Sequence, residues 1–176
     1  MAEVVGLISG LMTIANAGLR LYQTLNHLAD GIKSAEEDIT LVALDLKATT
    51  SVVGAVRECL SSSTESRSLL IRRSLATIPG LTDQCDYVFR KIQDLVSYLK
   101  PYHDQDSKAN GNHELVRFAY SHQRFRLLDK WKWQQQKPKV DMLRSYLESL
   151  KSNLSLLLSL LNIGYAEERR EPKDSQ

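Results

Sequence analysis

Cysteine is nearly absent. Cys59 and Cys85 are the only two in 176 residues. They form no C-x-x-C pair and have no histidine at ligand spacing, whereas a structural zinc site takes about four ligands. Reduced, buried thiols are expected, with no metal and no cofactor. Proline and glycine are also scarce, at four and eight residues. No segment alternates apolar and polar residues over a useful length, and no hairpin turn pair separates apolar runs, so strands are excluded. Neither sign of charge dominates. With 23 Lys and Arg against 21 Asp and Glu, the net charge of +2 does not argue for nucleic acid.

Catalytic patterning is missing as well. The four histidines are His27, His103, His113 and His122, and none pairs at i, i+4 with another ligand. Glu36, Glu37 and Asp38 crowd together as an acidic helix start, and His122 is expected as an inward-facing core histidine. There is no phosphate-binding glycine loop and no nucleophile elbow. Catalytic, cofactor-binding and metal residues are therefore expected to be none. The chain is expected to be a non-enzyme without a small-molecule substrate.

The most informative stretch is the start. Val4 to Leu19 carries no charge, and Gly6, Gly10 and Gly18 recur within it at helical spacing. A helix apolar nearly all round is buried or made for a bilayer, and small residues at such spacing admit close helix pairing. The candidate pairing or membrane face is Gly6, Gly10 and Gly18 with Val4, Val5, Leu7, Ile8 and Leu11. Each glycine costs ~1 kcal/mol against Ala in a helix interior, so a close contact is expected to offset it, within the bundle or between copies. Ala15-Asn16-Ala17 mimics a signal-peptide cleavage site, but Glu3 replaces the basic n-region and the apolar face continues past it. The uncharged run is shorter than the ~20 residues of a spanning helix. A cytoplasmic protein is expected, membrane-associated only on activation.

Further along, the apolar pattern keeps a helical period. Helix one is expected over about 2–29, with a stop at Asp30-Gly31. Ser34-Ala35-Glu36-Glu37 reads as a capping box opening helix two. Its seam is Ile39, Val42, Leu46, Thr49, Val53, Val56 and Leu60, a heptad spacing that favours nearly parallel or antiparallel packing. A third segment from Glu65 is expected to kink or break at Pro79-Gly80 and to close at Pro101. Residues 103–112 read as a polar loop. A fourth helix is expected over 113–136, with Leu115, Phe118, Phe125, Leu128 and Trp131 inward. Pro138 suits the first turn of a fifth, whose seam is Leu143, Leu147, Leu150, Leu154, Leu157 and Leu161. Leu156, Leu158 and Leu160 widen that face, which makes the last helix central. The expectation is an all-α, up-and-down bundle of four to five long antiparallel helices over 1–165. A disordered charged tail is expected over 166–176.

One segment is basic and aromatic. Arg124, Arg126, Lys130 and Lys132 surround Trp131 and Trp133. Such residues suit anionic headgroups or phosphates. They equally suit a solvated helix face with one Trp in the core. No nucleic-acid motif accompanies them, so nucleic acid is not the expected partner.

The opening Met1-Ala2-Glu3-Val4-Val5-Gly6-Leu7-Ile8-Ser9-Gly10-Leu11-Met12-Thr13-Ile14-Ala15, with Leu21-Tyr22 and Leu28-Ala29-Asp30-Gly31, resembles fungal N-terminal domains. These stand ahead of STAND (NLR-like) nucleotide-binding proteins and ankyrin repeats, and head the azaphilone pigment cluster protein L family. Lys130-Trp131-Lys132-Trp133, with Val140 to Arg144 and Leu147 to Leu156, is similar to the domain's other recurrent part. These domains are similar in turn to the HeLo-like group of fungal cell-death effectors. The resemblance spans about residues 1–165. It implies a signalling or effector bundle that a sensor clusters, with the N-terminal helix then acting on membranes. It assigns Gly6, Gly10 and Gly18 to the helix zipper and Val4, Val5, Leu7, Ile8 and Leu11 to the insertion surface. Protein partners or self-association are implied, with an anionic membrane as a further candidate. A helical adaptor that never meets lipid is the competing expectation, and its sign is an exposed apolar groove on a closed bundle.

Overall fold

A computed structural model describes residues 2–31, 35–62, 69–99 and 115–170. For Ala2, Glu3, Asp30, Gly31, Leu99 and residues 115–132 it describes the helical backbone and not the side chains. All four described elements are helices: α1 (Ala2–Gly31), α2 (Glu36–Ser61), α3 (Leu69–Leu99) and α4 (Leu115–Arg170). The expected all-α class is observed.

The helices form a ring in which each packs on two others: α1 on α2, α2 on α4, α4 on α3 and α3 on α1. Contacts give the directions. Lys47 lies over Tyr22 and Thr50 faces Gly18, so α1 and α2 are antiparallel. Asp38, Asp45 and Cys59 meet Trp133, Arg144 and Asn162 in the same order, so α2 and α4 run parallel. Ile71 faces Gly164 while Leu81 and Asn153 line one groove, so α3 opposes α4. By transitivity α1 and α3 are parallel. Antiparallel packing therefore holds for α1 with α2 and for α3 with α4. Directions alternate along the chain, but α2 and α3 are not principal neighbours, so two of the four packed pairs are parallel.

Every residue of the α2 seam is buried: Ile39, Val42, Leu46, Thr49, Val53, Val56 and Leu60. They meet Leu11, Ile14, Leu25 and Leu28 of α1, Ile71, Ile78, Val88 and Ile92 of α3, and Val140 to Leu161 of α4 in one core. The buried Thr49 hydroxyl donates to the Asp45 carbonyl at 2.9 Å and lies 3.4 Å from the Leu147 carbonyl. That satisfies the polar atom while letting α4 approach closely.

Three boundaries differ from expectation. Ala35, not Ser34, holds the cap position of α2 and makes no side-chain cap. Glu36, Glu37 and Asp38 fill the first turn instead, where the helix dipole favours negative charge. Ser34 lies outside the described residues, as does the 103–112 loop. Pro79 and Pro138 both sit inside continuous helices, α3 and α4, so neither breaks its helix and no fifth helix exists among the described residues. Both prolines are exposed, where water can solvate the carbonyl that each ring leaves free. Buried residues continue on either side of each, Ile78 and Cys85 around the first, Trp133 and Val140 around the second. Finally, α4 passes Gly164 and runs to Arg170, so 166–170 is helix. It packs on α2 and α3 as one member of the ring, not as a central helix.

Candidate functional site

The uncharged leading stretch forms the first half of α1. Among its described side chains, none before Leu11 is buried. Val4, Leu7 and Ile8 are half-buried, while Val5 is 64 % exposed. Met12 and Leu19 follow at 50 % and 48 % exposure. Thr13 back-bonds its hydroxyl to the Ser9 carbonyl at 3.0 Å, which satisfies that donor within the helix.

The three glycines separate. Nothing described lies within 4 Å of where a Cβ on Gly6 or Gly10 would stand. Gly18 is buried against Thr50 of α2 and the Phe89 ring of α3, with no room for a side chain. Helical geometry explains this. At about 100° per residue, Gly10 sits about 40° from Gly6, but Gly18 sits about 120° from it. The close contact that glycine permits occurs inside the bundle at Gly18, while Gly6 and Gly10 face open space. Leu11, placed with them on the candidate face, is in the core at 1 % exposure.

By length and composition two helices, over Val4–Ala29 and Glu36–Ser61, are apolar enough to cross a membrane, each with mean hydropathy 1.5. The first extends the Val4–Leu19 run because Arg20 is followed by Leu21, Tyr22, Leu25 and Leu28. Both helices also supply the core, and core helices meet the same measure.

The basic segment divides. Trp133 is buried, and its indole N–H donates to the Asp38 carboxylate at 3.0 Å. It is therefore a core residue and not part of a surface patch. Lys137 lies 3.4 Å from the same carboxylate. The side chains of Arg124, Arg126, Lys130, Trp131 and Lys132, and of His122, lie outside the described residues. Seven residues along α2, Asp45 binds Arg144 Nε at 2.9 Å, which raises the arginine pKa through that hydrogen bond. The acidic positions of α2 thus hold α4 alongside it.

A second surface was not singled out by residue from the sequence. An open groove of about 540 Å³ runs between α3 and α4, lined by Leu70, Leu81, Leu156, Leu157 and Leu160. Arg73 stands at its wall, and among the described residues no carboxylate lines it. Leu156 is 61 % exposed. Its sequence signal is the row Leu156, Leu160 and Ile163, one face away from the core residues Leu154, Leu157 and Leu161.

Among the described residues no group of three or more His, Cys, Asp or Glu side chains gathers as a metal site. Cys85 is buried, and burial pushes its thiol up to about 11; burial also raises Cys59, which donates to Asn162 at 3.5 Å. Both are protonated and weakly nucleophilic near neutrality. No protein-family model, curated protein or solved structure matches this chain.

Proposed function

We propose that this chain is a non-enzymatic signalling and effector module that works by association through its N-terminal helix. The observation that carries the reading is the first half of α1, uncharged from Val4 to Leu19 and without a buried side chain before Leu11. Exposed apolar surface gathered on one element marks a site of protein or membrane association. The resemblance to fungal N-terminal domains of NLR-like proteins supports clustering by a sensor as the trigger. Release of α1 from the ring would then present Leu11, Ile14 and Leu25 together with Val5, Met12 and Leu19, a much wider apolar face suited to an anionic bilayer.

The experiment is leakage from anionic liposomes under forced clustering. Wild type is expected to release dye and Gly6→Glu to release far less, because Gly6 is open to solvent and a charge there spares the fold. Equal and negligible leakage from both removes the membrane step.

A second reading has its own observation. The α3/α4 groove, apolar and open on a closed bundle, suits a helical adaptor that binds a partner helix. Leu156→Lys abolishing capture of a partner, with α1 variants silent, would favour it.

A further inference from the structure

We propose that the α3/α4 groove binds one long-chain fatty acid, its carboxylate held by Arg73 and Ser74 and its chain laid along Leu160, Leu157, Leu156 and Leu81. This is a ligand site outside the α1 reading, and it gives the groove an occupant other than a partner helix.

The first observation is an uncommitted polar pair. Ser74 is only 4 % exposed. Its carbonyl accepts from Thr77 at 2.8 Å, but its hydroxyl makes no hydrogen bond among the described residues. A serine inside a helix can satisfy itself on the carbonyl four residues back, as Ser51, Ser61, Ser152 and Ser159 do here. Ser74 does not. Among the described residues no fully buried side-chain oxygen or nitrogen lacks a partner, so this hydroxyl reaches the open space of the groove that Ser74 lines. Arg73 lines the same groove, is exposed, and makes no ion pair among the described residues. A recessed O–H donor beside an unpaired guanidinium is a site for an anionic oxygen.

The second observation is the lining around that pair. Arg73 is the one charged residue among those described there, so it balances a single negative charge. A carboxylate carries that charge, whereas a phosphate monoester carries about 1.5–2 and would leave part of it unmet. Ile71 faces Gly164 and α3 opposes α4, so Leu160 and Leu157 stand nearest the pair, with Leu156 and Leu81 beyond them. From Arg73 to Gln84 the groove follows α3 for about 16 Å. Gln84 and Asn153, both uncharged, close the far end. The matching ligand is charged at one end and apolar along its length. Gly80 gives the chain its width, since nothing described lies within 4 Å of where a Cβ would stand.

Size and lining favour a slender chain over a helix. A volume of about 540 Å³ is that of a small-molecule site, and such sites are mostly apolar with a few placed polar groups. Protein contacts concentrate their affinity on Trp, Tyr and Arg, with Leu, Ser and Thr under-represented. No aromatic residue lines this groove among those described.

The test is isothermal titration calorimetry of the full chain with myristate, kept below the concentration at which it forms micelles. Wild type is expected to bind one equivalent. Arg73→Gln is expected to weaken binding about tenfold or more, and Ser74→Ala about threefold or more. Gly80→Leu, whose side chain enters the space of the acyl chain, is expected to abolish it. Circular dichroism checks that helicity is unchanged in each. Met12→Lys, on the exposed side of α1, is expected to bind as wild type does. Tetradecyltrimethylammonium, a cationic head on the same chain length, is expected not to compete. Absence of saturable binding by wild type overturns the proposal, as does equal affinity in Arg73→Gln and Gly80→Leu, or equal binding of the cation. Binding lost in Met12→Lys and kept in Arg73→Gln places the ligand on α1 and also overturns it. A groove that captures a partner helix through Leu156 and takes no myristate overturns it in favour of the adaptor. Liposome leakage is read separately, so failure here leaves the membrane role of α1 standing.

Discussion

Gly18 of α1 sits against the hydroxyl of Thr50 of α2 with no room for a methyl group between them. Thr50 is not free to turn away, because that hydroxyl donates to the Leu46 carbonyl at 2.8 Å. The edge of the Phe89 ring closes the other side. Gly18→Ala is expected to destabilise the fold by about 1–3 kcal/mol, the cost of overpacking a filled site. Gly6→Ala and Gly10→Ala meet nothing described and recover helix propensity, so each is expected to stabilise by about 0.5–1 kcal/mol. Urea midpoints of the three variants check the reversal of sign. A stabilised Gly18→Ala would mean that α1 does not approach α2 as closely as the structure shows.

Proline supplies a second contrast. Pro79 lies within α3 and is exposed, so its ring removes a helix hydrogen bond without filling any part of the core. Thr77 and Thr82 turn their hydroxyls onto the Ser74 and Pro79 carbonyls, at 2.8 and 2.7 Å, around the interruption. An interior proline costs about 3 kcal/mol, and losing it frees the unfolded chain by about 1. Pro79→Ala is expected to raise stability by about 1–2 kcal/mol and to lift the thermal midpoint. A lower midpoint would show that the proline supports a bend the packing needs.

How much of this was legible follows from those same residues. The α2 seam could be read completely, because a helix buried along one stripe repeats its apolar residues at the period of that stripe. The glycine face could not be extended from Gly10 to Gly18, since eight residues turn the helix about 80° further. The prolines misled because their signal is local, while burial is set over many turns. The stronger signal was the exact seven-residue row Trp133, Val140, Leu147, Leu154 and Leu161, all buried. It crosses Pro138 without a break, and it places Trp133 in the core despite the lysines around it. Ring order was not legible at all. Every helix offers a long apolar face, so nothing in the pattern pairs α2 with α4 in preference to α3. The residues that record that pairing, Asp38 and Asp45, read in the sequence only as helix-surface acids.

Asp38 anchors the pairing. It accepts the buried Trp133 N–H, with Lys137 at the rim. Asp38→Ala leaves an indole donor buried without its partner, and is expected to cost about 1–3 kcal/mol. Trp133→Phe removes the donor as well as the need for it. In Trp133→Phe, the further loss on adding Asp38→Ala is expected to fall to the small value of an exposed ion pair and a dipole contact, below about 1 kcal/mol. A double-mutant cycle on denaturant midpoints measures the difference. Strict additivity would mean that the 3.0 Å contact does not hold in solution.

Cys85 makes stability depend on alkaline pH. Its thiol is buried in α3 and burial raises its pKa from 9.0 to about 11. In the unfolded chain the thiol loses its proton from about pH 9, while the folded protein keeps it to about pH 11. Between those limits the native state binds the extra proton, so unfolding becomes easier as pH rises. The contribution is fully present below pH 9 and gone above 11. Two units correspond to about 2–3 kcal/mol as an upper value. Lysines and tyrosines titrate in the same range, so the comparison is with Cys85→Ala. That variant is expected to be less stable at pH 7, from the lost sulfur contacts, and to lose less stability than wild type between pH 9 and 11. Urea midpoints of both proteins across this range give the difference directly. Parallel pH curves would place Cys85 in contact with water, against its position in the ring's core.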